Sequence, residues 1–438
     1  MLTIADIAQI YDGPHATPLK TESGPYFLSI SSLEKGRLDL SKSAHLSFED
    51  LRKWTKRVTP EPGDLLFSYE TRLGEAALMP KGIDACLGRR MGLLRPNRSL
   101  VLPEYLLYFY LSPAFQQTIV SNTIRGATVD RIPITEMSNF PISIPSLENQ
   151  AKIVELLKSL DDKILLNNRI NAELEQMAKT LYDYWFVQFD FPNEDGEPYK
   201  SSGGKMFYDE VLKKEIPQGW EVGTLEDIGN LLGGGTPRKE VPEYWNGAIP
   251  FFTPKDYEKS VFATYTESHI TEVGLASCSS RLYPKGTIFI TARGTVGNIN
   301  IASTDMAMNQ SCYAVTTKPG INYYFLHQFC VNLIQYMKVK AAGSVFDALV
   351  SNDFKLTSAV IPARDTIDLF GQRTASFYER ILNNKLQNQQ LASLRDWLLP
   401  MLMNGQVTVG EVLDRSEEDS EARVDTIGQE GTQMHLFA

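Results

Sequence analysis

Apolar residues recur along two stretches of this chain with the alternating step of four and three that marks the seam of a coiled coil. The first stretch visits Ile153, Leu157, Leu160, Ile164, Asn167, Asn171, Leu174, Ala178, Leu181 and Trp185. The second lies 217 residues further on and visits Phe370, Thr374, Phe377, Ile381, Asn384, Asn388, Leu391, Arg395, Leu398 and Leu402. Two asparagines interrupt both seams at the same two places. Leu165 and Leu166 could carry the first seam instead, leaving Asn167 at a solvent-facing edge, but the recurrence of both pairs favours buried asparagines. A polar residue in a buried seam costs stability and fixes register and partner. The two copies are therefore expected to pack on each other within one chain, as an intramolecular pseudo-dimer rather than a homodimer.

The offset of 217 extends beyond the helices, placing Gly126 on Gly343, Asp130 on Asp347 and Pro145 on Pro362. Further upstream, Gly63-Asp64-Leu65-Leu66-Phe67 leading to Gly74 resembles Gly286-Thr287-Ile288-Phe289 leading to Gly297. A period this long describes the duplication of one globular domain plus one helix. Within the first copy, Leu65 to Tyr69 and Met91 to Leu94 are short apolar strands bounded by turn residues. Pro103 to Val120 is an aromatic helix with a break at Ser112-Pro113, and 128–133 is a turn after Gly126. Phe140 to Pro145 is a proline-flanked edge strand, and Ser146 caps the long helix behind it. The expected division is a domain at 1–145, a helix at 146–190, a polar Gly/Ser-rich linker at 191–217, a second domain at 218–362, a helix at 363–405 and a tail at 406–438.

The expected fold class is α+β: two duplicated mixed α/β domains separated by an intramolecular two-helix coiled coil, whose paired asparagines can meet whether the helices run parallel or antiparallel. A 33-residue helix at about 1.5 Å per residue is about 50 Å long, comparable to about 15 base pairs of B-DNA. Domains carried at opposite ends of an antiparallel pair would make it a ruler.

Composition changes the picture only in part. The net charge of −10 looks wrong for a nucleic-acid binder. Thr408 to Ala438, however, carry eight acidic and two basic residues, leaving −4 for the other 407. The first 145 residues hold 16 Lys/Arg against 15 Asp/Glu, so acidity belongs mostly to the tail, which is expected to be disordered. The balance argues against a protein that coats DNA by charge alone. Cys86, Cys278, Cys312 and Cys330 form no CxxC pair, which points to a reducing cytoplasm and away from a zinc site. Neither a signal peptide nor a membrane span is expected. Catalytic signatures are missing: there is no Pro-Pro dipeptide for an amino-directed DNA methyltransferase motif, no Walker loop and no HExxH. Gly233-Gly234-Gly235-Thr236-Pro237 follows no clear strand of a βαβ unit, so a phosphate cradle is not expected there. No metal ligands are expected from His15, His45, His269, His327 and His435, whose spacing is irregular.

The first half carries Asp12-Gly13-Pro14-His15-Ala16-Thr17-Pro18, Gly63 to Ser68, and Leu181 to Asp190. In the second half stand Ile216-Pro217-Gln218-Gly219-Trp220, Gly233 to Pro237, Arg293-Gly294-Thr295-Val296-Gly297, and Leu394 to Pro400. In this doubled order, with a helix after each half, the chain resembles the specificity subunits of type I restriction-modification systems from residue 3 to about 407. The resemblance implies two target-recognition domains, each reading one half of a bipartite asymmetric site in double-stranded DNA. It implies that the two helices form an antiparallel coiled coil with pseudo-twofold symmetry, which sets the unread spacer and docks two modification subunits that use S-adenosylmethionine to methylate adenine. On the same resemblance, restriction subunits that hydrolyse ATP with Mg and cleave DNA would join them, and the chain itself would be a noncatalytic cytoplasmic subunit with no cofactor of its own. One departure is Glu70-Thr71-Arg72-Leu73-Gly74, where the second half has Arg293 to Gly297.

Base reading needs Arg, Asn, Gln, Ser or Thr at base edges and cations at phosphates. The candidates follow the glycine turn of each domain: Ser68, Tyr69, Arg72, Arg89 and Arg90 in the first, and Thr291, Arg293, Thr295, Asn309 and Gln310 in the second. Arg52, Lys53, Lys56 and Arg57 are candidate phosphate contacts. Other readings are a self-sufficient DNA methyltransferase or nuclease, a coiled-coil adaptor without sequence-selective binding, and the specificity subunit of a methylation-only or related restriction system.

Overall fold

A computed structural model describes residues 2–126, 129–340 and 348–410. Thr128, Gly343, Asp347 and the acidic tail beyond Gly410 lie outside the described residues. The chain divides into two compact units, Met1–Lys163 with Leu391–Ala438, and Ile164–Gln390. Neither unit ends at an expected domain edge, because both long helices contribute to both. The first long helix runs Leu147–Tyr182 and passes into a π turn at Asp183–Val187, and the second runs Arg364–Met403.

In the first unit a four-stranded antiparallel sheet has the order Ala8–Asp12, Met91–Pro96, Leu65–Ser68, Ala76–Leu78. Successive strand residues point to opposite faces, and this sheet is covered on both, which is why its central strand reads as an unbroken apolar run. Leu65 and Phe67 pack under the aromatic residues of Pro103–Leu111 and Pro113–Ser121, including Tyr105, Tyr110 and Phe115. Leu66 faces the other way, onto Leu28, Leu33 and Met91. Ser112 makes the break between the two helices by donating its hydroxyl to the Phe109 carbonyl at 2.7 Å while capping Phe115 N. Buried Gln150, in the first turn of the long helix, donates to Leu100 O and Pro145 O and accepts from Leu102 N, each at 2.9 Å. Ile153 and Leu157 then share a core with Leu398 and Leu402. Arg395, the one charged residue on either seam, meets Asp161 at 2.8 Å, and Asp161 also accepts from the Tyr108 hydroxyl at 2.8 Å.

The second unit repeats the plan. Its five-stranded sheet is ordered Gly229–Gly233, Cys312–Thr317, Ile288–Thr291, Ile299–Ala302, Phe262–Ala263. Ile288 and Ile290 face one core and Phe289 the opposite one. Each unit also holds a three-stranded sheet, built around Thr21–Phe27 in one and Trp245–Phe252 in the other. Two-stranded pairs tie the start of each copy to its end, Leu2–Thr3 with Pro141–Ile142 and Glu221–Gly223 with Ala359–Ile361.

Within the second unit the helices run antiparallel, and the asparagines meet crosswise. Asn167 Nδ2 donates to Asn388 Oδ1 at 2.9 Å and to Gln387 Oε1 at 2.8 Å. Asn384 Nδ2 donates to Asn171 Oδ1 at 2.8 Å, and Asn171 Nδ2 reaches the Ile381 carbonyl at 3.3 Å. Asn388 closes the network on Asn168 at 2.8 Å. Asn167, Asn171, Asn384 and Ile381 are buried, whereas Leu165 and Leu166 are exposed. Ile164, Leu174 and Leu181 are half-buried, and so, in the first unit, are Leu160 and Leu391.

The stretch 191–217 is not a linker. Met206–Asp209 and Lys214–Pro217 form a hairpin, and Asp190 accepts from Ser201 N and its hydroxyl, both at 2.7 Å. Phe191 stacks on Trp220 at 4.7 Å and on Tyr199 at 4.6 Å between ring centroids. Widely spaced aromatics anchor a segment whose average composition is polar.

Candidate nucleic-acid interface

Both sheets end their third-ordered strand in the same turn. Ser68 N donates to Glu75 O at 3.1 Å and Thr291 N to Asn298 O at 2.9 Å. Tyr69 N reaches Arg90 O at 3.1 Å, as Ala292 N reaches Ser311 O at 2.8 Å. Ile132 N donates to Tyr69 O at 2.8 Å, as Leu349 N does to Ala292 O at 3.0 Å. These matched bonds align the two tips residue by residue: Ser68 with Thr291, Glu70 with Arg293, Thr71 with Gly294, Arg72 with Thr295 and Arg90 with Ser311.

Ser68 and Thr291 are buried, and their hydroxyls hold the turn. Ser68 donates to Glu70 O at 2.7 Å, and Thr291 donates to Thr295 O while accepting from Asn298 N at 3.1 Å. Tyr69 is buried too, and burial, reinforced by the nearby Asp12 carboxylate, raises its phenol pKa. Their chemistry suits base reading, but all three are buried at a strand end that is packed on both faces, where they support the turn.

The exposed tips differ in charge. In the first unit Glu70 pairs with Arg90 at 2.8 Å, and Arg90 also reaches the Thr71 hydroxyl at 3.4 Å. Thr71 holds φ 68°, a left-handed conformation costly for a β-branched residue, where the second unit has Gly294 at φ 81°. Arg72 is half-buried, tied to Glu75 at 3.2 Å and to the Ser31 carbonyl at 3.3 Å. Arg89 is exposed. In the second unit Arg293 stands where Glu70 stands in the first, and it is exposed with Thr295. Gln310 accepts from the Thr236 hydroxyl, and Asn309 Oδ1 accepts from Ser311 N at 3.0 Å.

A second loop flanks each tip, and the residue lists drawn from sequence left it out. Gly13 and Gly234 follow the first strand of their sheets, and a Cβ on either would lie within 2.5 Å of a carbonyl, Met91 O or Asn309 O. Only glycine permits that approach. Beyond Gly234 the loop carries exposed Arg238 and Lys239, and beyond Asp12 it carries His15, 3.1 Å from the Asp12 carboxylate. The glycine at the same place in both halves was the signal available in sequence. Arg52, Lys53, Lys56 and Arg57 are all exposed, on and just after the helix Phe48–Trp54, with Arg57 at 3.9 Å from Asp12. Among the described residues no cluster of His, Cys, Asp and Glu could hold a metal ion, and no helix is long and apolar enough to cross a membrane.

The family model described as "Type I restriction modification DNA specificity domain" matches residues 3–176 and again 217–395. The chain belongs to that family. Each match spans one tip, its sheet and most of the following helix, so the family's unit is the repeat seen in the fold. The HindI specificity subunit of Haemophilus influenzae is 27% identical over 399 residues, covering 79% of this chain and 86% of that protein. The MjaIX specificity subunit of Methanocaldococcus jannaschii is 25% identical, covering 92% and 88%. Among solved structures, the type I restriction-modification S subunit from M. genitalium matches with a TM-score of 0.54 at 16% identity, covering 91% of this chain and 94% of that one. That likeness concerns the fold.

Proposed function

We propose that this chain is the DNA-specificity subunit of a type I restriction-modification complex, with each unit reading one half of a bipartite, asymmetric site. One observation carries the reading: two copies of one scaffold present different side chains at matched tip positions, Glu70 paired to Arg90 in one and exposed Arg293 in the other. Arg reads guanine through O6 and N7 in the major groove, whereas a carboxylate accepts from the cytosine amino group. Scaffold repetition with divergent tips is what an asymmetric two-part target requires. Arg52, Lys53, Lys56 and Arg57 supply phosphate contacts, which position without specifying.

The two-helix seam sets the length of the unread spacer, and its outer surface docks two modification subunits. Those partners, with S-adenosylmethionine, carry out adenine methylation, and restriction subunits with ATP and Mg carry out cleavage. The chain itself contributes recognition and no chemistry, and it works in the cytoplasm. Methylome sequencing of a host that expresses the cognate partners, with and without this gene, tests the reading. Methyladenine at one bipartite motif should vanish with the gene, and an unchanged methylome rejects it.

A further inference from the structure

Glu70 and Arg90 face each other across the tip of the first unit, and their geometry gives them unequal parts. Glu70 Oε2 lies 2.8 Å from Arg90 Nε, and Arg90 Nη1 donates to the Thr71 hydroxyl at 3.4 Å. The arginine side chain is 40% exposed and the glutamate 24%, so the guanidinium is the outer member of the pair. Holding Nε leaves the two terminal nitrogens of the arginine with N–H groups to spare. Such a fork matches guanine O6 and N7. Backbone fixes both sides of the pair. Thr71 and Arg90 each hold φ 68°, a left-handed conformation that persists only where the surroundings over-determine it. For Arg90 those surroundings are a tight turn: Met91 N donates to Gly88 O at 3.3 Å and Tyr69 N to Arg90 O at 3.1 Å. A Cβ on Gly88 would lie 1.8 Å from the Leu28 carbonyl oxygen, so the turn is pressed against its neighbour.

We propose that Arg90 is the residue through which the first unit specifies a guanine, and that Glu70 positions it without touching a base. The proposal rests on the DNA-reading function above. A carboxylate that read a base itself would accept from a cytosine amino group. Here, however, the carboxylate is the inner member of the pair and its Oε2 is committed to Nε. A guanidinium held in one orientation also discriminates. In an A·T pair the adenine N6 amino group stands where guanine has O6, so donor meets donor. The second unit also places one arginine in this pair of positions, from the opposite side of its tip. Arg293 takes the place of Glu70 there, and Ser311 that of Arg90.

Methylome sequencing of a host that expresses the cognate partners reads the motif base by base. The half-site left intact by Arg293→Ala should contain a guanine that Arg90→Ala leaves unspecified, with every other position retained. Glu70→Ala should keep that guanine specified. Its preference over adenine, read by competition binding of the assembled complex, should fall about tenfold. A fully retained motif in Arg90→Ala overturns the proposal and leaves DNA reading standing. A cytosine position left unspecified by Glu70→Ala makes Glu70 the reader and overturns it too, and an unchanged guanine preference removes the positioning role. Where Arg90→Ala abolishes methylation, Arg90→Lys decides, because it keeps the charge and loses the fork. The guanine preference should then fall at least about tenfold at an unchanged melting temperature, and an unaltered preference overturns the proposal. Absence of any bipartite motif, with the unaltered chain included, rejects the DNA-reading function itself.

Discussion

Arg293 and Glu70 occupy one position of a duplicated turn with opposite charge, and their surroundings decide what each can do. Glu70 is committed to Arg90 at 2.8 Å, whereas at Arg293 the place of Arg90 is taken by Ser311. Arg293→Ala should therefore cost about 1–3 kcal/mol of discrimination at one base pair, read by competition binding of the assembled complex to half-site variants. Equal loss on both half-sites would contradict the assignment. Ser68 and Thr291 were legible as polar residues at a strand end but not as buried ones, because burial there depends on two layers contributed by distant sequence. A second residue-scale expectation concerns His327, which is buried against Tyr378 with its pKa pulled down to about 4 by desolvation. The depressed value means that stability is intact above pH 6.5 and is lost as pH falls towards 4. His327→Gln should flatten the melting temperature between pH 6.5 and 4, and a parallel decline in both proteins would reject this cause.

The helix pair was the most legible element, since a four-three repeat survives any tertiary context, and its asparagines were visible as a matched interruption. Direction was not legible from spacing alone. It is written in which asparagine meets which: 167 with 388 and 171 with 384, the crossed pairing that only antiparallel strands allow. Asn384→Leu leaves Asn171 facing an apolar partner and should cost about 1–3 kcal/mol. Asn171→Leu with Asn384→Leu should recover most of that loss in thermal melts while weakening the choice of register. A double variant as unstable as the single one would refute the pairing. The hairpin at 206–217 was misjudged for the opposite reason: its anchors, Phe191, Tyr199 and Trp220, are too far apart to show any period.

At the scale of the molecule, the duplication was legible end to end, whereas the division into two units was not, because sequence order hides that each helix serves both. Adding one heptad to each helix, after Lys163 and after Gln390 where the units divide, adds about 10 Å of helix. That equals about three base pairs. Methylome sequencing should then show the same two half-sites with a spacer longer by about three. An unchanged spacer in an active complex would show that helix length does not set it.

The first unit is assembled from two separated parts of the chain, and this has a consequence during synthesis. Leu157 packs with Leu398 and Leu402, so its partners leave the ribosome about 240 residues later. At roughly 5–20 residues per second that delay is roughly ten to fifty seconds. The second unit, made of one continuous segment, can finish folding first, although its gene order is later. Until then the apolar stripe of the first helix is bare, and the nascent chain is most exposed to aggregation and to chaperones while its N-terminal half waits for its other end.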